Sequence, residues 1–455
     1  MKENTIVAIA TPRGEAGIGV IRISGPDAKS LLQSVFEPKN KKEVENRRFT
    51  YGYIKDGDSL IDEVMAVFMK GPNTYTREDV CEIQAHSSHV TLKKIISLLI
   101  EKGGSLAEPG EFTKRAFLKG RLDLPQAEAL MDLISSKTEL AHKQALKQLG
   151  GFTSHKLNEA LESLKEVLVQ IAVLIEYPEE DLEDINKEEL KEKISLIKEE
   201  IKDLIDTFSS GRILREGLRV SILGKPNVGK SSLLNALLKE ERAIVTETPG
   251  TTRDTIEELL DIEGIPVRIM DTAGIRETKD PVEKEGVKRA KEKIQESDLV
   301  VLLLDGSVEI EKEDREISEL IKDKKSIILL NKRDLGKAVN IEEAKLLFPD
   351  SPVIETSITE SMGLKELLEE IGLMVEREDA ESLEKAVITN IRHYELLKKT
   401  MDSLEDSLKA IKDNQPLDIV EIDIKEGFLR IGEILGRTVK EDILKEIFEK
   451  FCLGK

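Results

Sequence analysis

The sequence predicts a multidomain α/β protein: an α+β N-terminal domain, a long-helix domain, and an inserted domain built on a mostly parallel sheet. Three observations carry this. The chain has 455 residues, enough for about three domains and too many for one core. Apolar residues recur at three- and four-residue steps in two separate regions, the period of a helix with one buried face. Between those regions, short apolar runs alternate with helical segments, as in a parallel sheet covered on both faces.

Residues 6–10 and 20–23 read as strands split by a Gly-rich turn over 11–19, and 62–69 as a further strand. Residues 90–100 have helical spacing that stops at Gly103-Gly104. Long helices follow. Leu157, Leu161, Leu164, Leu168, Ile171 and Ile175 form one stripe, and Leu190, Ile194, Ile197, Ile201 and Leu204 the next, with a break at 177–181. Strands are expected at 218–223, 267–270, 299–304 and 326–330. Helical spacing returns near 380, with Leu404, Leu408 and Ile411, then Ile443, Leu444, Ile447 and Phe448. The expected boundaries are 1–118 for the N-terminal domain, 119–216 and 377–455 for two parts of a helical domain, and 217–376 for the inserted domain.

Composition narrows the function. The net charge is −20, which opposes broad binding to polyanions. The charge is uneven: residues 1–120 hold 18 basic and 16 acidic residues, net +2, and the rest 51 and 73, net −22. A nucleic acid would therefore need a local patch or a partner protein. Aromatics are 4% and Trp is absent, so no broad base-stacking surface is expected. Two cysteines make no disulfide framework, and neither an apolar leader nor a membrane-length apolar run is present. A cytoplasmic setting is expected.

The inserted domain carries the chemistry. Gly224-Lys225-Pro226-Asn227-Val228-Gly229-Lys230-Ser231 fits the phosphate-cradling pattern G-x-x-x-x-G-K-S/T, with a strand before it and a helix from Ser232 after it. Its glycines let successive N–H groups point at phosphate oxygens. Lys230 adds a charge near the β and γ phosphates, and the Ser231 hydroxyl suits a magnesium ion. Asn331-Lys332-Arg333-Asp334 follows a strand, and the Asp334 carboxylate can accept from N1–H and the exocyclic amine of guanine. Adenine lacks that donor pair, so GTP is selected. Ser357-Ile358-Thr359 lies where an N–H to the guanine O6 belongs. Asp271-Thr272-Ala273-Gly274 follows another strand: Asp271 would hold magnesium through water, and the Gly274 N–H would sense the γ phosphate. Gly250-Thr251-Thr252-Arg253-Asp254 occupies the switch position, with Thr252 as the second magnesium hydroxyl. After D-x-x-G stands Ile275, which cannot orient a water as Gln does. Arg253 and Arg276 are candidate transition-state fingers. These motifs alone also permit a ribosome-assembly or signalling switch.

Beyond that domain, the chain resembles the MnmE (TrmE) family of tRNA-modifying GTPases along essentially its whole length. The resemblance rests on Ala10-Thr11-Pro12, Ile21-Arg22-Ile23-Ser24-Gly25, Tyr75-Thr76-Arg77-Glu78-Asp79, residues 109–118 continuing into 123–129, Thr389-Asn390-Ile391-Arg392-His393, and Cys452-Leu453-Gly454-Lys455. It implies an N-terminal folate-binding domain that dimerises, a helical domain, and an inserted Ras-like P-loop GTPase domain. It implies modification of carbon 5 of uridine 34 in tRNA with an MnmG-type flavoprotein, as a heterotetramer, using a tetrahydrofolate derivative. Folate contacts would fall on Arg22, Glu82, Arg121 and Lys455, with a thiol role for Cys452. A potassium ion on Asn227, Thr246, Thr248 and Thr251 would replace the arginine finger, and Glu283 would orient the attacking water. GTP contacts would further include Val228, Gly229 and Ser232. One departure is visible: Ala85-His86-Ser87-Ser88 stands where the family has Gly-His-Gly-Gly. The remaining alternative is a folate-dependent transfer enzyme in which GTP only regulates.

Overall fold

A computed structural model describes residues 4–12, 14–176, 183–240, 258–270, 294–385, 387–451 and 454. It divides into two compact units, one of residues 1–131, 148–177 and 417–455, the other of residues 132–147 and 178–416.

The first unit is built on seven strands: β1 (Ile6–Ile9), β2 (Ala16–Ser24), β3 (Phe36–Pro38), β4 (Thr50–Asp56), β5 (Ser59–Met69), β6 (Val80–Ser87) and β7 (Ser105–Leu106). Their order is β3-β4-β5-β6-β2-β1-β7, antiparallel except for the β1–β7 pair. Period-two alternation assigns the faces. Ile21, Ile23, Ile54 and Ile83 pack with Leu92, Ile95, Leu98 and Leu99 of helix His89–Glu101. On the opposite face, Ile6 and Ala8 pack with Phe112 of helix Glu111–Leu118 and with Tyr75. Arg22, between Ile21 and Ile23, belongs to this second face. The turn expected over 11–19 is shorter, because β2 begins at Ala16. A bulge lies between Ala16 and Gly19, and a Cβ on Gly19 would stand 2.8 Å from Leu92 Cδ1. Strand geometry thus uses glycines that the sequence presents as a turn.

The long helices pair within units. Helix Phe152–Glu176 packs on Leu417–Ile434 in the first unit, burying Leu157, Leu161, Leu164 and Ile171. Helix Glu183–Asp206 packs on Ile391–Lys412 in the second, burying Leu190, Ile194, Ile201 and Leu404. The break expected at 177–181 lies outside the described residues.

The second unit holds a six-stranded sheet: β8 (Leu218–Leu223), β9 (Glu258–Ile262), β10 (Ile265–Ile269), β11 (Leu299–Asp305), β12 (Ser326–Asn331) and β13 (Val353–Glu355). Its order is β13-β12-β11-β8-β10-β9, parallel except for the β9–β10 hairpin. In β11, Val301 and Leu303 join one core layer and Val300, Leu302 and Leu304 the other. A strand buried on both faces reads as an unbroken apolar run. The chain leaves β8 for β9 and β10 on one side, then returns for β11 to β13 on the other. Such a reversal opens a crevice at the carboxyl ends of the strands, where ligands bind.

Candidate functional site: a nucleotide crevice and an N-terminal side-chain cluster

The phosphate loop connects β8 to helix Lys230–Glu240. Its curl needs left-handed backbone at Gly224 (φ 144°), Asn227 (φ 64°) and Gly229 (φ 108°). A Cβ on Gly224 would stand 2.5 Å from the Leu303 carbonyl oxygen, and one on Gly229 2.5 Å from Asn331 Nδ2. Val228 is buried and fastens the loop to the core, while Asn227 and Ser231 are exposed. The helix start presents N–H groups and a positive dipole end toward the loop. Lys230 Nζ donates to the carbonyls of Gly224 (2.8 Å) and Lys225 (2.6 Å). Burial pushes the Lys230 pKa down, which favours an anion as neighbour.

Three loops are tied together beneath the crevice. Buried Asn331 donates through Nδ2 to the Val228 carbonyl (2.7 Å), and its Oδ1 accepts from the Ile358 N–H (3.3 Å). The side chain thus joins the phosphate loop, the end of β12 and the loop after β13. Lys332 (φ 63°) pairs with Asp305 at 2.7 Å. Burial works against the Asp305 charge, but hydrogen bonds from Lys332 and Ser307 outweigh it and hold its pKa below the usual carboxylate range. Exposed Asp334 accepts from Ser357 Oγ at 2.7 Å, and Thr359 Oγ1 lies 3.1 Å from that hydroxyl. The sequence motifs Gly224–Ser231, Asn331–Asp334 and Ser357–Thr359 therefore converge.

Sequence reasoning missed two fasteners. Lys225, an unspecified position in the motif, pairs with Glu311 (2.6 Å) and Asp314 (2.8 Å) at the start of helix Lys312–Ile321. Burial opposes its charge, but hydrogen bonds to Asp314 and Glu311 win and raise its pKa. Arg333, also unspecified, is buried, donates to the Val339 carbonyl (2.7 Å) and pairs with Glu355 (2.7 Å). Neither pairing carries a local signal, since the acidic partners Glu311, Asp314 and Glu355 are distant in sequence.

The N-terminal cluster is made of side chains gathered at a sheet face. Register places Arg22 directly across from Glu82, and the two pair at 2.9 Å. The Arg22 guanidinium lies 5.5 Å from the Tyr75 ring centre, and that of Arg121 4.6 Å from the same ring. Tyr75 is fixed in turn by a hydrogen bond to Thr113 Oγ1 at 2.9 Å. Three residues expected to act together do converge, around a ring that sequence reading left unassigned. Gly454 runs against Ile9 and Ala10.

Comparison with known proteins follows the same division. A family model of the MnmE helical domain matches residues 124–452, and a model of the GTP-binding protein TrmE N-terminus matches residues 5–121. The tRNA modification GTPase MnmE of Alkaliphilus oremlandii is 47% identical over 458 residues, covering 100% of this chain and 99% of that one. The tRNA modification GTPase MnmE of Clostridioides difficile is 48% identical over 456 residues, covering 100% and 99%. The chain belongs to the MnmE family of tRNA modification GTPases.

In this MnmE-family chain the departing loop is folded into β6. His86 Nδ1 and Asp62 Oδ1 lie 2.8 Å apart, and the His86 N–H donates to Asp62 Oδ2 at 2.8 Å. Hydrogen bonding to Asp62 raises the pKa of exposed His86. Cys81 is fully buried and donates to the Ala28 carbonyl at 3.3 Å. Thr246, Thr248, Thr251, Thr252, Arg253, Asp271, Thr272, Ala273, Gly274, Ile275, Arg276, Glu283, Cys452 and Lys455 lie outside the described residues. No helix among the described residues is long and apolar enough to cross a membrane.

Proposed function

We propose that this chain is a potassium-dependent GTPase that, with an MnmG-type flavoprotein, modifies carbon 5 of the wobble uridine of certain tRNAs using a folate one-carbon unit. The observation that carries the reading is the similarity to curated MnmE proteins from end to end, 47% over 100% of the chain. Both the GTP loops and the N-terminal cluster fall within that match.

Each group has residues of fitting chemistry. Ser231, exposed in the first helical turn, and Thr252 would hold magnesium. Asn227, at the crest of the loop, would hold potassium with Thr246, Thr248 and Thr251. Bound potassium would supply positive charge to the transition state, which Ile275 does not. Glu283 would orient the attacking water, and Lys230 would hold the β and γ phosphates. In the N-terminal cluster, the Glu82 carboxylate suits the donor edge of a pterin, and Arg22, Arg121 and Lys455 suit the carboxylates of a folate tail. Cys452 would lie by that site as a thiol. We assign folate binding and dimerisation to residues 1–118, a helical domain to 119–216 and 377–455, and GTP hydrolysis to 217–376. The same reading makes the protein a cytoplasmic homodimer joined by two flavoprotein subunits.

Nucleoside analysis of tRNA from cells lacking the protein tests the reading. The C5-modified wobble uridine should disappear; an unchanged profile would overturn the tRNA role. Equal GTP turnover in sodium and potassium buffers would overturn the cation role alone.

A further inference from the structure

A chain with a net charge of −20 repels a polyanion unless its cations are gathered locally. The connection from β3 to β4 gathers them. Lys39, Lys41, Lys42, Arg47 and Arg48 fall within ten residues, against Glu43 and Glu45, and all seven are exposed. The loop is nonetheless anchored. Val44 is buried in the sheet core, the Arg47 N–H donates to the Phe68 carbonyl at 2.7 Å, and Asn46 Oδ1 accepts from the Lys70 N–H at 2.9 Å. Both carboxylates are already paired, Glu45 with Arg48 at 3.1 Å and Glu43 with Lys29 at 4.0 Å. Lys39, Lys41 and Lys42 make no ion pair among the described residues.

Aromatic rings stand beside these cations. Phe49 is 48% exposed and Tyr51 36%. Lys39 Nζ lies 5.0 Å from the Tyr51 ring centre, and Tyr53 meets Tyr51 edge-on at 5.8 Å. Lys39, Phe49 and Tyr51 line a recess of about 330 Å³ together with Lys42, Arg48 and Thr50, and the paired carboxylates Glu43 and Glu45 and the Asn40 amide share its wall. An ammonium cluster satisfies any anion, but a rigid exposed ring next to it suits a flat base attached to a phosphate chain. We propose that this surface binds RNA, with backbone phosphates on Lys39, Lys41 and Lys42 and an unstacked base against Phe49. The assignment rests on tRNA being a partner, as proposed above, and adds where the contact falls. An acidic protein segment would use the cations without the ring, so removal of the ring separates the two.

The test uses the full-length protein and an unmodified tRNA transcript, with affinity measured between about 50 and 200 mM salt. Lys39→Ala, Lys41→Ala and Lys42→Ala combined should flatten the slope of log affinity against log salt by about 2 to 3, near 0.7–0.9 per lost phosphate contact. The three Lys→Arg substitutions should keep the slope. Phe49→Ala should weaken binding about tenfold with little change in slope. Melting temperature and tRNA-free GTP turnover should match wild type throughout. If wild type binds tRNA and the triple Ala variant matches it in affinity and slope, this surface is not the RNA site and the tRNA reading stands. If Phe49→Ala is silent while the triple variant loses binding to polyglutamate but not to tRNA, the partner is an acidic protein and the RNA assignment fails. If wild type itself binds no tRNA, both readings fall.

Discussion

The parallel sheet of the second unit and the mainly antiparallel sheet of the first build their sites in opposite ways. In the parallel sheet, β11 and β12 end in register at Asp305 and Asn331, β8 ends on the same side opposite Leu302, and the loop after β8 supplies backbone donors around Gly224–Ser231, with Asn331 pinning it from below. In the antiparallel sheet, the face itself is the site: Arg22 and Glu82 meet because β2 and β6 pair in that register, and the Tyr75 ring lies against Arg22. A loop site is contiguous in sequence and demands glycine where the backbone curls. A face site needs only alternation and register, which leave no contiguous signature.

The largest effect should come from breaking the pin. Asn331→Ala leaves the Val228 carbonyl and the Ile358 N–H buried and unpaired, each costing about 1–3 kcal/mol. GTP affinity should fall about a hundredfold in a fluorescent-nucleotide titration, while reduced-folate affinity by calorimetry stays put. Preserved GTP binding would mean the loops curl without the pin. The reciprocal variant sharpens the contrast. Glu82→Ala leaves Arg22, at 21% side-chain exposure, without its partner. Reduced-folate affinity should drop about tenfold with GTP affinity unchanged. Loss of GTP affinity as well would show the two sites to be coupled.

Two smaller effects probe the first sheet. Burial, helped by the Asp79 charge, pushes the Cys81 thiol up to about 12. Native protein at pH 8 should therefore resist alkylation at Cys81, read by peptide mass spectrometry, until denaturant opens the sheet. Rapid native labelling would mean the packing around Ala28 opens readily. His86 should give the smallest effect. Its pKa is raised by Asp62, so the folded state binds the proton more tightly than the unfolded chain does. Its contribution is full below the ordinary histidine value and fades as pH rises through the raised one. His86→Ala should remove that slight slope from the melting temperature measured across this pH window. An unchanged slope would show the pair to be too solvent-screened to count.

Legibility in the sequence follows the same contrast. Strands expected at 218–223, 267–270, 299–304 and 326–330 appear as Leu218–Leu223, Ile265–Ile269, Leu299–Asp305 and Ser326–Asn331. Strands buried on both faces advertise themselves as apolar runs. The short edge strand Val353–Glu355 and the hairpin strand Glu258–Ile262 do not. In the first unit, β4 passed unread because only Gly52 and Ile54 of its seven residues are buried. Tyr75 went unassigned because its neighbours, Arg22, Thr113 and Arg121, are distant in the chain.

The sequence by itself determined the phosphate loop, the guanine-selecting loop and the existence of long amphipathic helices. Each of these is local: backbone conformation, a short reach between adjacent residues, or a stripe along one element. The tertiary structure alone decided that Phe152–Glu176 pairs with Leu417–Ile434 and Glu183–Asp206 with Ile391–Lys412. It alone placed Asn331 under Val228, Lys225 on Asp314 and Arg22 across from Glu82. An apolar stripe states that a face must be buried and a charge that it must be satisfied; neither names the partner, which the packing of distant segments selects.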